Sequence, residues 1–289
     1  MVRQFGGDWT REKLERVQRY LCAYTIALRR QPFKLLYVDA FAGAGYCSAP
    51  QSCADEDLLL QEFGEDDTRQ FLSGSARIAL EVKPSFSEYV FIEKSEKNVA
   101  DLEKLREEFP ALRGRIQVVQ AEANSYLKEL CAGSWADKRA VMFLDPYGMQ
   151  VNWDTIRSIA ATRAVDLWYL FPLGVAVNRL LRKDGMIDQS IRRRLDQLFG
   201  ESDWYDAFYQ TTESLTLWGP EVSTTRVGGF KAISDYLVRR LTSEFAGVAN
   251  NPLPLLNSKN NPLYLLCFAS ANPKGAPIAL EIAQHILRK

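Results

Sequence analysis

Short apolar runs alternate along this chain with longer segments in which apolar residues recur every three or four positions. The runs predict buried strands and the longer segments predict amphipathic helices. Residues 9–28 carry Leu14, Val17, Leu21, Tyr24 and Leu28 on one helical stripe, and Gln31-Pro32 stops that helix. Strands are expected at 35–38, 89–93, 116–119, 140–145 and 166–171. Helices are expected between them. One runs to about 82, with Ser73 or Ser75 supplying the capping oxygen, and one spans 95–109 before Pro110. Two more cover 124–130, capped by Asn124, and 153–164. Strands separated by helices of this length imply right-handed βαβ units, a mostly parallel sheet and the α/β class.

Two segments break the alternation. Residues 46–73 hold Asp55, Glu56, Asp57, Glu62, Glu65, Asp66 and Asp67 with no clear period, and read as an inserted loop or lid. Residues 173–246 read as wholly helical, with basic clusters at Arg182-Lys183, Arg192-Arg193-Arg194 and Arg239-Arg240. Apolar runs at 252–256 and 263–268, joined by Asn257-Ser258-Lys259-Asn260-Asn261, predict a closing antiparallel hairpin before a last helix from about 277. The expectation is a single domain over 1–289 with an acidic insertion at 46–73 and a helical insertion at 173–246.

Composition narrows the class without choosing a function. The 289 residues are 47% hydrophobic and 25% charged, as in an ordinary globular protein. No apolar run is long enough to span a membrane, and residues 1–10 lack the apolar core of a secretory signal, so a cytoplasmic protein is expected. Five scattered cysteines do not form a disulfide framework; Cys131 and Cys267 lie in apolar stretches and read as buried. The single histidine, His285, leaves no zinc constellation, and no metal is expected. Thirty-six basic and thirty-six acidic residues cancel, which excludes a uniformly basic nucleic-acid binder but not a local basic face.

Chemistry gathers at the expected strand ends. Asp39 ends the first strand and is followed by Phe41, Gly43 and Gly45 in the order D-x-F-x-G-x-G. Glycines let the backbone turn sharply and a ligand approach closely. A dinucleotide site would need a third glycine opening a helix, where this chain has Ser48-Ala49-Pro50. Glu93 ends the second strand, and a carboxylate has acceptor sites enough for a vicinal diol such as a ribose. Glu122 and Asn124, past the third strand, are candidates to meet an adenine edge, although Asn124 is equally a helix cap. Asp145-Pro146-Tyr147-Gly148 ends the fourth. There the Asp145 side chain and the Pro146 carbonyl could hold an amine, with the Tyr147 ring for stacking. A carboxylate near a glycine turn suits a cationic ligand. The pattern resembles the first motif of class I S-adenosylmethionine (SAM) methyltransferases.

A more specific resemblance covers nearly the whole chain. The runs Y37-V-D-A-F-A-G-A-G45, Y89-V-F-I-E-K94, F143-L-D-P-Y-G148 and L263-Y-L-L-C-F-A-S-A-N-P-K-G275 resemble the three-Cys-motif partner protein (TcmP) family. The resemblance implies a class I methyltransferase-like, Rossmann-like fold with SAM as cofactor. It also implies a radical-SAM-like partner protein carrying a three-cysteine motif. D-P-Y-G further resembles the D-P-F-G of tRNA guanine-N2 dimethyltransferases. The D-P-P-Y of adenine-N6 enzymes has a second proline that this chain lacks. Two functions follow as expectations: methyl transfer to an amine, most readily on a nucleic-acid base, with catalytic residues Asp145, Pro146 and Tyr147; or a non-catalytic SAM-binding or partner-interaction module.

Overall fold

The apolar runs become β1 (Lys34–Asp39), β2 (Glu88–Glu93), β3 (Ile116–Gln120), β4 (Lys138–Leu144) and β5 (Val165–Phe171). The computed structural model describes residues 8–43, 74–216 and 219–288. Gly45 and the expected insertion at 46–73 lie outside the described residues. β1 pairs in parallel with β2 and β4, β2 with β3, and β4 with β5. Further along come β6 (Tyr209–Thr216), β7 (Gly219–Arg226), β8 (Gly247–Val248), β9 (Leu253–Leu256) and β10 (Pro262–Ser270). β10 runs antiparallel to β5, with β8 and β9 antiparallel along its outer side. The sheet order is β3-β2-β1-β4-β5-β10-β8, with β9 also on β10. This is the mostly parallel α/β sheet with a closing antiparallel hairpin that the alternation predicts.

Helices cover both faces of the sheet, which is why its central strands β1, β2, β4 and β5 are largely buried rather than alternating. On one face lie α1 (Asp8–Leu28), α2 (Ser75–Glu81) and α3 (Glu96–Glu108), over Tyr37, Phe91, Phe143 and Trp168. On the other, α4 (Ala123–Ala132), α5 (Trp153–Ala161) and α6 (Gln189–Phe199) cover Val38, Ile92, Leu144 and Tyr169. A short α7 (Trp204–Phe208) and α8 (Phe230–Glu244) extend that layer, while α9 (Ala276–Leu287) joins the first. Cys131 and Cys267 are buried free thiols, and His285 lies exposed on α9. Among the described residues no helix is long and apolar enough to cross a membrane.

Four local expectations are corrected. The buried stripe of α1 is Trp9, Lys13, Val17, Tyr20, Leu21 and Tyr24, while Leu14 and Leu28 are only half-buried at its margin. The N-cap of α2 is Gly74, with no side-chain cap; Ser75 is already helical and buried. Ser73 lies outside the described residues. The cap of α4 is Glu122, not Asn124: the Glu122 carboxylate accepts from the Asn124 and Ser125 amides. Finally, 173–246 is not wholly helical. β6 and β7 form an antiparallel ribbon paired from Tyr209↔Arg226 to Thr216↔Gly219. Thr211, Thr212, Val222, Thr224 and Thr225 are β-branched and favour the extended chain. The ribbon leaves Leu215 and Val222 exposed, so its described side chains carry no buried periodicity to read. Its base is held where the Tyr209 hydroxyl donates to the Arg182 carbonyl (2.8 Å) and Arg226 donates to the carbonyls of Asn178 and Leu181.

Candidate functional site

From β1 the sheet grows through β2 and β3 on one side and through β4 and β5 on the other. The order reverses at β1, and open α/β sheets bind ligands beyond the carboxyl ends of their strands at such a point. The chain leaving β1 is stitched to both neighbours: the Ala40 amide donates to the Phe143 carbonyl (3.1 Å) and the Ala42 amide to that of Ile92 (3.0 Å). Gly43 then takes φ 62°, the left-handed region that favours glycine, and begins the turn that the motif requires.

Asp39 is the last residue of β1 and is fully buried. Its Oδ1 accepts from the Phe41 amide at 3.3 Å, while Oδ2 has no hydrogen-bond partner among the described residues. Burial is the main cause that pushes its pKa from 3.8 to about 7. The Asp145 charge adds to the rise; Ser75, the Phe41 amide and Lys13 oppose it. Asp145 follows β4 directly, two residues beyond Phe143, which stands opposite Asp39 in the β1–β4 register. Only 4% of Asp145 is exposed. Its Oδ2 is ion-paired to the Lys13 ammonium of α1, and its Oδ1 has no partner among the described residues. Burial raises the Asp145 pKa and the adjacent Lys13 charge pulls it back.

Aromatic rings close around this pair. The Lys13 nitrogen lies 6.0 Å from the Trp9 ring centre and 5.7 Å from that of Phe143. Trp9 stacks on Tyr264 of β10 at 5.2 Å. The Tyr37 hydroxyl is buried without a partner in hydrogen-bonding geometry among the described residues. Burial first, then the charges of Asp39 and Asp145, raises its pKa. Asp39 and Asp145 thus meet at one edge, on the face that α1 covers.

The remaining expected residues spread along the same edge. Half-buried Glu93 ends β2 and accepts from the Ser95 amide at 2.8 Å, which helps start α3. Pro146 is buried, Phe41 and Tyr147 are half-buried, and the Tyr147 amide donates to Gln150 Oε1 at 3.0 Å. Glu122 and Asn124 are committed within the chain. Glu122 holds the Asn124 amide and side chain with one oxygen and the Ser125 amide and hydroxyl with the other. Those four contacts hold its pKa below the usual carboxylate value, against desolvation. Asn124 also donates to the Gln150 carbonyl and accepts from the Asn152 amide and the Thr155 hydroxyl. Its side chain has no capacity left for an adenine, so its part is to clamp α4, the 145–152 loop and α5. Asn124→Ala is expected to cost about 1–3 kcal/mol of stability by urea unfolding, because it strands buried polar groups, while leaving SAM affinity unchanged.

Lys13 went unrecognised in the sequence, although a signal exists: it is four residues from both Trp9 and Val17, on the apolar stripe. Seven residues further along α1, the Tyr20 hydroxyl donates to buried Asp166 at 2.6 Å. Burial pushes Asp166 up to about 6, against the opposing influence of nearby Ser270 and the bond from Tyr20. Among the described residues no group of three or more His, Cys, Asp or Glu could hold a metal ion.

No protein-family model matches the chain, and no curated protein matches it. Solved structures with a similar course of the backbone include a protein from Legionella pneumophila, 16% identical, covering 83% of this chain and 94% of that one at a TM-score of 0.40. A methyltransferase from Geobacter sulfurreducens is 16% identical over 73% of this chain and 78% of its own, at a TM-score of 0.30. Magnesium protoporphyrin IX methyltransferase from Synechocystis, solved with bound SAM, is 13% identical over 74% and 81%, at a TM-score of 0.31.

Proposed function

We propose that the chain is a SAM-dependent methyltransferase acting on an amine. The reading is carried by one observation: two buried carboxylates meet at the reversal point of the sheet, each with an oxygen lacking a partner among the described residues, beside a left-handed glycine turn. Buried acceptors without partners are costly unless a ligand satisfies them. A cationic nucleoside fits that donor set. SAM supplies an electrophilic methyl group on a sulfonium. Asp39 and the Phe41–Gly43 turn would hold its charged end, and Glu93 its ribose hydroxyls.

The acceptor amine belongs to Asp145, Pro146 and Tyr147. Asp145 Oδ1 and the Pro146 carbonyl accept its N–H groups, which turns the nitrogen lone pair away from both acceptors. Ring delocalisation makes such a lone pair a poor nucleophile, so orienting it is the main service the chain performs. Tyr147 stacks beside the base. For a nucleic-acid substrate, the supporting feature is the 173–226 segment. It starts just past the carboxyl end of β5, carries exposed Arg179, Arg182, Lys183, Arg192 and Arg193, and ends in the β6–β7 ribbon. Lys and Arg contacts to phosphates would supply affinity there. A three-cysteine-motif partner protein belongs to the same proposal and rests on the sequence resemblance alone.

The rival reading is a non-catalytic partner-interaction module, and one observation favours it: Lys13 already takes Asp145 Oδ2. Calorimetric titration with SAM and its demethylated product separates the two readings. Binding of both is expected; binding of neither sinks the enzyme. A screen for labelled methyl incorporation into DNA, tRNA and rRNA, with the partner added, then identifies the acceptor.

A further inference from the structure

We propose that Lys13 is a positioning residue for the acceptor amine: it anchors Asp145 through Oδ2, keeps it ionised, and leaves Oδ1 as the one oxygen offered to the substrate. The inference rests on the methyltransferase reading above. Its basis is geometric. Lys13 is fully buried, and its ammonium pairs with a carboxylate 132 residues away. A lysine is almost never fully buried unless it is paired. Here the matching partner begins the D-P-Y-G segment.

Two bonds fix where Lys13 sits. Tyr20 holds Asp166 from the same face of α1, so the helix is tied to the sheet at two depths seven residues apart. Among the described residues, the groups that face the pair come from several elements. They are Asp39 and Tyr37 of β1, Tyr264 of β10, and the rings of Trp9 and Phe143, with Ser75 of α2 acting on Asp39. Among these, the groups that carry or can gain charge near neutral pH are the two carboxylates and Lys13. Without the ammonium, burial and the neighbouring Asp39 would drive a proton onto Asp145. A protonated carboxyl has given up part of the acceptor capacity that the amine needs.

The test uses the full chain with carbonyl-labelled aspartate, read by carbon NMR without cofactor, alongside pH–rate profiles of methyl transfer. In the wild type, Asp145 is expected to be ionised at pH 7. In Lys13→Met its titration is expected to move up by about one to three pH units. The acid limb of kcat/KM should move with it while KM for SAM holds. Lys13→Arg should return both. An Asp145 already protonated at pH 7 in the wild type overturns the proposal, whether or not Lys13→Met folds. So does an unmoved acid limb in a folded Lys13→Met protein. A wild type that neither binds SAM nor transfers methyl sinks the methyltransferase reading instead, while the NMR titration still reports whether Lys13 controls Asp145.

Discussion

Asp145→Ala is expected to lower methyl transfer by about 10²–10³-fold in kcat, the usual effect of removing one pre-positioned polar contact at a reacting centre. The same change should cost about 3–5 kcal/mol of stability, because it strands a buried charge. Both effects have one origin. Lys13 is fully buried and its ammonium is paired to Asp145, so deleting the carboxylate leaves a cation between the Trp9 and Phe143 rings. Asp145→Asn separates the two effects. It keeps the shape and an oxygen for Lys13, so it should recover part of the stability, while the acceptor site loses its negative charge. Urea unfolding and labelled-methyl transfer are the measurements. An Asp145→Ala protein with full transfer would remove Asp145 from the site; one with unchanged stability would deny the buried pair its structural weight.

The second large effect concerns pH. In the folded protein the pKa of Asp39 is raised from 3.8 to about 7, and that of Asp166 to about 6, chiefly by burial. A carboxyl whose folded pKa is raised binds more protons folded than unfolded across that window. Stability from these groups is therefore full below pH ~4, falls as pH rises toward about 7, and stays low above it. Each pKa unit is worth about 1.4 kcal/mol, so Asp39 alone carries a penalty on the order of 4 kcal/mol at pH 8. Asp39→Asn removes that charge with little change in shape. It should raise the unfolding midpoint at pH 8, flatten the pH dependence between 4 and 7, and abolish SAM binding. Sites for charged ligands hold strain of this kind, and relieving it costs function. Equal melting temperatures for the two proteins at pH 5 and at pH 8 would rule out the burial penalty. Tight SAM binding by the variant would rule out the cofactor role.

Asp39, Glu93 and Asp145 were legible because each stands where an apolar run stops, and runs joined by helices put their ends on one edge. Lys13 was not. Helical periodicity is read from apolar residues, so a lysine on the stripe is passed over unless its partner is known. Asn124 misled for the opposite reason: it suits a helix cap in sequence, yet Glu122 two residues earlier took that place and Asn124 turned inward. The β6–β7 ribbon escaped because Thr211, Thr212, Leu215, Val222, Ser223 and Thr225 are exposed, so its described side chains show no buried pattern of period two.

Local patterning thus determined the class of this protein: strands buried on both faces, helices between them, and acids at the strand ends. These follow from spacing along the chain, and spacing needs no partner. Tertiary structure decided the electrostatics. Whether a carboxylate at the edge stays solvated, meets a lysine or is left with an unmatched oxygen depends on where α1 docks. That docking joins residues 132 apart in sequence. Burial removes the water that would otherwise make the choice unimportant.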